Sequence, residues 1–354
     1  MNVYKKIFKD NFNLYLKSIS CCILLALLNG CGGSQKELSF APEQVLIWPE
    51  APEKPRIRYL AELSTENDLK KPNVFDLGEL IFGKKEVGVL IAPYAIAITR
   101  DYKLFVTDTS TGTVHIFDLV KRQYRQFGKI SSKERLQTPV GIAVADNWVY
   151  VADSMLRKVC VFDIKGKYLF SFGDNQLKRP SGIAYQKGSK EVFVTDTAAH
   201  TIMVFTNGGK FIKEIGSRGT GVGQFNFPTQ LWIDKNRKIY VSDTLNYRVQ
   251  VFSDEWNPQM VFGRQGDRPG NFAHPCGITT DSFGNIYVSD RQFENVQIFN
   301  SQGQILMAFG HEGTRSGQFW LPSGICIDDH NRIFVADTFN KRIQIFQLLE
   351  QEDQ

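Results

Sequence analysis

The sequence holds little raw material for a metal or redox centre. Five His and six Cys occur in 354 residues. No CxxC or CxxCH pair is among them, so zinc knuckles, thioredoxin-like chemistry and covalently held haem lack support. Long apolar runs are missing as well. ISCCILLALL, from Ile19 to Leu28, is about half of the roughly 20 residues that span a bilayer. Charge of one sign is not in excess: 42 Lys and Arg face 37 Asp and Glu. What is abundant is Phe, at 27, and Gly, at 29, which lean toward a turn-rich all-β chain.

The start differs from the rest. Lys5, Lys6, Lys9 and Lys17 precede the apolar run, and Asn29, Gly30 and Cys31 follow it. A basic segment, a short apolar core and small residues read as a secretory signal over 1–30. LLNGC resembles the lipobox of bacterial lipoproteins, with Leu28 at −3, an unusual Asn29 at −2, Gly30 at −1 and Cys31 as acceptor. The resemblance implies lipidation of Cys31 and an exported, membrane-tethered protein in the cell envelope. Gly32, in place of Asp, points to the outer membrane in an organism that has one. Residues 31–55, with Pro42, Pro49, Pro52 and Pro55, read as the lipidated Cys and a tether. Loss of residues 1–30 removes four Lys and one Asp and leaves a net charge of +2. Nucleic acid is therefore not an implied partner. Cys160, Cys276 and Cys326 remain as expected buried thiols.

A repeat fills most of the chain. VTDT, VADS, VTDT, VSDT, VSDR and VADT place Asp108, Asp153, Asp196, Asp243, Asp290 and Asp337 at intervals of 43 to 47 residues. Each copy opens on Pro and a short apolar run, such as PSGIAY or PTQLWI. A polar turn follows, then a strand ending in the Asp, then a strand ending in Phe such as VQVF. A fourth run usually closes on Phe-Gly. Four short strands per copy form a meander. Each is apolar on both faces, so each sheet needs cover on both sides, and radial stacking into a closed ring supplies it. The last copy lacks its fourth strand, and Arg56–Leu63 alternates as a strand able to supply it. Over 73–84 the spacing of Val74, Leu77 and Ile81 predicts one short accessory helix, capped by Asn73 and ended at Gly83. Residues 347–354 are a tail.

Pro-x-Gly-Ile-Ala, the Asp-ended strands and Asn-x-Arg-Ile-Gln-Val-Phe resemble the NHL repeat. Asn246, Arg248, Asn340 and Arg342 carry its fullest form, and Gly-Gln-Phe-x-x-Pro loops at 223–228 and 317–322 agree. The resemblance spans residues 56–346 and implies an all-β, six-bladed propeller closed by an N-terminal strand. A propeller does not fix a function.

The six Asp are expected to cap turns by accepting backbone N–H bonds, with Lys158, Arg248 and Arg342 pairing across them. A metal held among them is opposed by their separation, at least roughly 10 Å across the ring. Amidating lyases of this family hold zinc through histidines, one directly after the strand-leading Pro. Those positions here are Tyr94, Val140, Ser181, Thr229, Cys276 and Ser323, so no metal or cofactor is assigned. His274 is the nearest candidate ligand, and Trp232 either plugs the channel or joins a site. Arg100, Lys121, Lys165, Lys235 and others fall on turns after the first and third strands, on one solvated face. The opposite face carries Met155, Leu156, Leu245, Tyr247, Arg248, Phe293, Phe339 and Arg342. Large apolar residues beside Arg have the composition of binding hot spots. The function expected is a binding platform for an envelope protein or peptide. The alternative is a propeller lyase or hydrolase with its site at the channel mouth.

Overall fold

Runs of β-branched and aromatic residues between turn residues give the strands their local reason. What fixes their order is the number of faces each must bury. The second strands are buried along nearly their whole length, as in Lys103–Asp108 and Glu191–Asp196. The fourth strands, such as Gln123–Phe127 and Phe211–Ile215, are mostly exposed. Position in the sheet thus runs from wet rim to dry middle.

The computed structural model describes residues 45–54, 56–69, 88–145 and 147–349. They form six antiparallel sheets in ring order. Sheets opened by Pro93–Ile98, Pro139–Ala145, Pro180–Gln186, Pro228–Ile233 and Pro275–Thr280 are blades 1 to 5. The sixth contains Pro322–Ile327, Arg332–Asp337 and Arg342–Leu348. Core clusters join neighbouring blades: Tyr150 and Val161 of blade 2 pack with Val192 and Phe205 of blade 3.

Closure follows the expectation. Ile57–Leu63 pairs antiparallel with Arg342–Leu348, placing Tyr59 opposite Phe346 and Leu63 opposite Ile343. Ile47–Trp48 then adds a fifth strand to that blade, inside the stretch read as tether. Trp48 sits edge-on to Phe346 at 5.8 Å and 6.0 Å from Phe309. The accessory helix is not borne out. The described residues contain no α-helix, only 3-10 turns at Glu66–Leu69 and Thr244–Asn246, and residues 73–84 lie outside them.

The Gly of Pro-x-Gly has a steric cause. A Cβ on Gly141 would lie 2.0 Å from the Ser181 carbonyl oxygen, and one on Gly277 2.3 Å from that of Ser323. Inner strands of adjacent blades meet backbone to backbone around the channel.

Candidate functional site

Loops before each leading Pro and turns after each Asp share one rim, the aspartate face. In blade 1, Asp108 accepts N–H bonds from Ser110 and Thr111 with one oxygen and from Ile91 and Ala92 with the other, at 2.7–3.1 Å. Each Asp therefore ties its own turn to the loop entering its blade. This is the expected cap, extended to a second loop.

The Asn, Arg and Gln of the fullest repeats complete that tie. In blade 6, Asp337 accepts from Asn340, Arg342 and Gln344, each at 2.9 Å. Arg342 also reaches Glu62 at 2.8 Å and the carbonyls of Arg315 and Gln318. Arg248 repeats the arrangement on Asp243 and the carbonyls of Thr220, Gly221 and Gln224. These two Arg, placed among the binding candidates, have their donors spent inside the fold. Lys158 departs from expectation: it pairs with Glu134 at 2.8 Å, since its blade lacks the Gly-Gln-Phe loop.

The apolar candidates divide. Met155 and Phe339 are 65% and 51% exposed, and Leu245 38%. Leu156 and Tyr247 are half-buried against the cores between blades. Tyr247 has a left-handed φ of 54° that ends the 3-10 turn. Phe293 is half-buried in the register of Asn246 and Asn340. Sequence reasoning missed Trp320, 45% exposed and 5.6 Å from Phe339 ring to ring. Its signal was a Trp in the Gly-Gln-Phe-Trp-Leu-Pro loop.

At the middle of this face Tyr94, Cys276, Arg291 and His274 come together. Arg291 lies over the Tyr94 ring, 5.6 Å from its centroid. The adjacent Cys276 thiol and burial push the Tyr94 phenol up. Burial also pushes the Cys276 thiol up. Both are protonated at neutral pH. His274 is held below the usual imidazole range by burial and by Arg291. Its Nδ1 is buried without a partner.

A cavity of about 220 Å³ occupies the channel, lined by inner-strand residues such as Ile142, Ile183 and Gln230. On the opposite face a recess of about 440 Å³ is lined by Tyr102, Trp232, Lys235, Asp281 and Asp328, among others. Trp232 lines both and donates from Nε1 to Thr280 at 2.9 Å. It therefore stands between channel and recess, a wall of each. Arg100 and Lys235 belong to this recess rather than to a bare solvated surface. Both Asp are already engaged by their own turns.

A family model of 6-bladed β-propellers matches residues 172–255, and an NHL-repeat model matches residues 319–346. The chain is a six-bladed β-propeller with NHL repeats. Protein brain tumor of Drosophila melanogaster is 31% identical over 110 residues, which cover 28% of this chain and 11% of that protein. The propeller thus matches about a tenth of that relative. Virginiamycin B lyase from Staphylococcus aureus superposes with a TM-score of 0.54 at 13% identity, over 82% of this chain and 99% of that one. A gluconolactonase from Xanthomonas campestris gives 0.57 at 15% identity, over 73% and 87%. At such identities the likeness is one of fold.

Proposed function

We propose that this propeller is an exported, lipid-anchored recognition module whose aspartate face binds a protein or peptide in the bacterial envelope. The observation that carries the reading is the Trp320–Phe339 pair, two large rings in contact and about half exposed on adjoining turns of that face. Met155 and Leu245 share that face. Aromatics of this kind concentrate binding energy, with hot spots costing roughly 2 kcal/mol or more when truncated. A photoreactive benzoyl-phenylalanine at position 339 is expected to crosslink a discrete envelope partner, whereas the same group at Phe283, on the opposite face, is expected to give none. Equal products from both positions, or none from 339, would sink the reading. Trp320→Ala with Phe339→Ala should abolish the crosslink from position 155 and leave the melting curve near wild type.

The anchor is a separate proposal resting on Leu28-Asn29-Gly30-Cys31. Acyl chains contribute about 0.8 kcal/mol per buried CH₂. Cys31→Ala is expected to move the protein from the detergent to the aqueous phase in a partition assay. Unchanged partitioning would reject lipidation.

The recess at Trp232 favours a second reading, a propeller lyase or hydrolase with its site at that mouth. Turnover of gluconolactone or virginiamycin B by purified protein, abolished in Trp232→Ala, would select it over the platform.

A further inference from the structure

Two departures from the repeat meet over the channel. After the strand-ending Asp, five blades carry a hydroxyl residue: Thr109, Ser154, Thr197, Thr244 and Thr338. Three of these latch adjacent blades. Thr197, Thr244 and Thr338 donate to the carbonyls of Pro228, Pro275 and Pro93 at 2.8–2.9 Å. Blade 5 has Arg291 there. After the leading Pro, the other blades carry Val, Ser, Thr, Cys and Ser, and blade 1 has Tyr94. The two exceptions are in contact, with the guanidinium over the ring.

Blade packing does not require this Arg, since a hydroxyl serves the other blades. Among the described residues no Asp or Glu pairs with its guanidinium. The carboxylate one residue away, Asp290, is taken by the N–H groups of Ala273, His274, Gln292 and Phe293. Tyr94 and Cys276 keep their protons and cannot neutralise the cation. His274 adds a buried ring nitrogen that lacks a partner. A buried unpaired donor costs free energy unless a ligand meets it.

We propose that Arg291, the Tyr94 hydroxyl and His274 form an oxyanion site that takes a carboxylate group at the centre of the aspartate face. The guanidinium supplies a planar two-point fork for a carboxylate. The Tyr94 ring holds that fork by its face, and its hydroxyl, hydrogen-bonded to the Cys276 thiol, accepts from the S–H and donates its own proton to the carboxylate. His274 donates from Nδ1 in the tautomer that carries the proton there. This inference rests on the aspartate face being the working face and names what its partner must present.

The test uses succinate, acetyl-Ala-Ala-Ala as the free acid and the same tripeptide as its amide, titrated by calorimetry into wild type, Arg291→Thr and Arg291→Lys. Thr restores the residue type of the other blades, so folding is expected to survive and is checked by melting. One acid or both should bind saturably and the amide should not. Arg291→Thr should weaken binding at least tenfold, and Arg291→Lys less. Binding of the tripeptide acid without succinate assigns a peptide terminus; binding of succinate without the tripeptide acid assigns a free dicarboxylate. Should Arg291→Thr fail to fold, Tyr94→Phe keeps the ring, removes the hydroxyl and should weaken binding several-fold. No acid binding to wild type, equal binding of acid and amide, or full affinity in the variants would overturn the site. Acid binding with no crosslink from position 339 would reject the face as a partner surface and leave the site standing.

Discussion

Deleting Ile57–Leu63 is expected to abolish cooperative unfolding altogether. The strand places Ile57, Tyr59 and Leu63 in the core at 0%, 5% and 0% exposure. Burial of each such side chain is worth about 1.5–3 kcal/mol. Their sum rivals the whole net stability of an ordinary domain, about 5–15 kcal/mol. The deletion also strips Glu62 from Arg342 and bares the Arg342–Leu348 edge, which invites pairing between chains. Thermal scans should lose their transition and light scattering should rise. The converse experiment strengthens the ring. Arg58 and Gln347 are Cα partners across the seam, so Arg58→Cys with Gln347→Cys should oxidise to an intrachain bond and add about 2–4 kcal/mol. Failure of that pair to crosslink in folded protein would contradict the register.

That seam is legible in the amino-acid sequence alone. A last copy without a fourth strand and an alternating Arg56–Leu63 demand each other. The fifth strand is not legible there. Ile47–Trp48 is too short to show a period, and the flanking prolines read as linker. Its anchor is tertiary: Trp48 is held by Phe309 and Phe346. The six Asp are readable as caps because period and turn chemistry agree. Arg248 and Arg342 mislead as surface candidates because a charged residue on a turn looks solvated until its acceptors are known. Four of Arg342's acceptors come from residues 24 to 280 positions away or from a buried Asp. Tyr247 looks free because the core it packs against is assembled from two blades and is not visible in its own segment. The central site shows the opposite case. Arg291 and Tyr94 are visible as exceptions to a six-fold pattern, yet 197 residues separate them in sequence, and ring closure alone brings them together.

A third exception, His115, makes the propeller sensitive to acid. Blades 4, 5 and 6 carry Gln250, Gln297 and Gln344 in its register. There the Gln amide bridges loop and turn, as Gln250 does between Gln224 and Asp243. His115 is 1% exposed. Its Nδ1 lies 2.8 Å from the Tyr124 hydroxyl, which donates onward to Gln126 at 2.8 Å. The Tyr124 oxygen therefore accepts, Nδ1 carries the proton, and Nε2 accepts from Thr113 at 3.1 Å. Burial pulls the imidazole down from 6.5 to about 4, against the pull of Asp108 at 3.8 Å. The unfolded chain binds a proton below 6.5 and the folded one resists it until about 4. Stability is consequently full above 6.5, falls as pH drops toward about 4, and falls no further from this group below that. At about 1.36 kcal/mol per pKa unit the loss approaches roughly 3 kcal/mol. His115→Gln installs the residue of blades 4, 5 and 6 and removes the titration. Urea unfolding at pH 7.5 and pH 4.5 should show wild type losing about 2–3 kcal/mol more than His115→Gln between the two conditions. Equal losses in the two proteins would show that the imidazole is protonated in the folded state with Asp108 as its counter-ion, and that burial is the lesser force at this position.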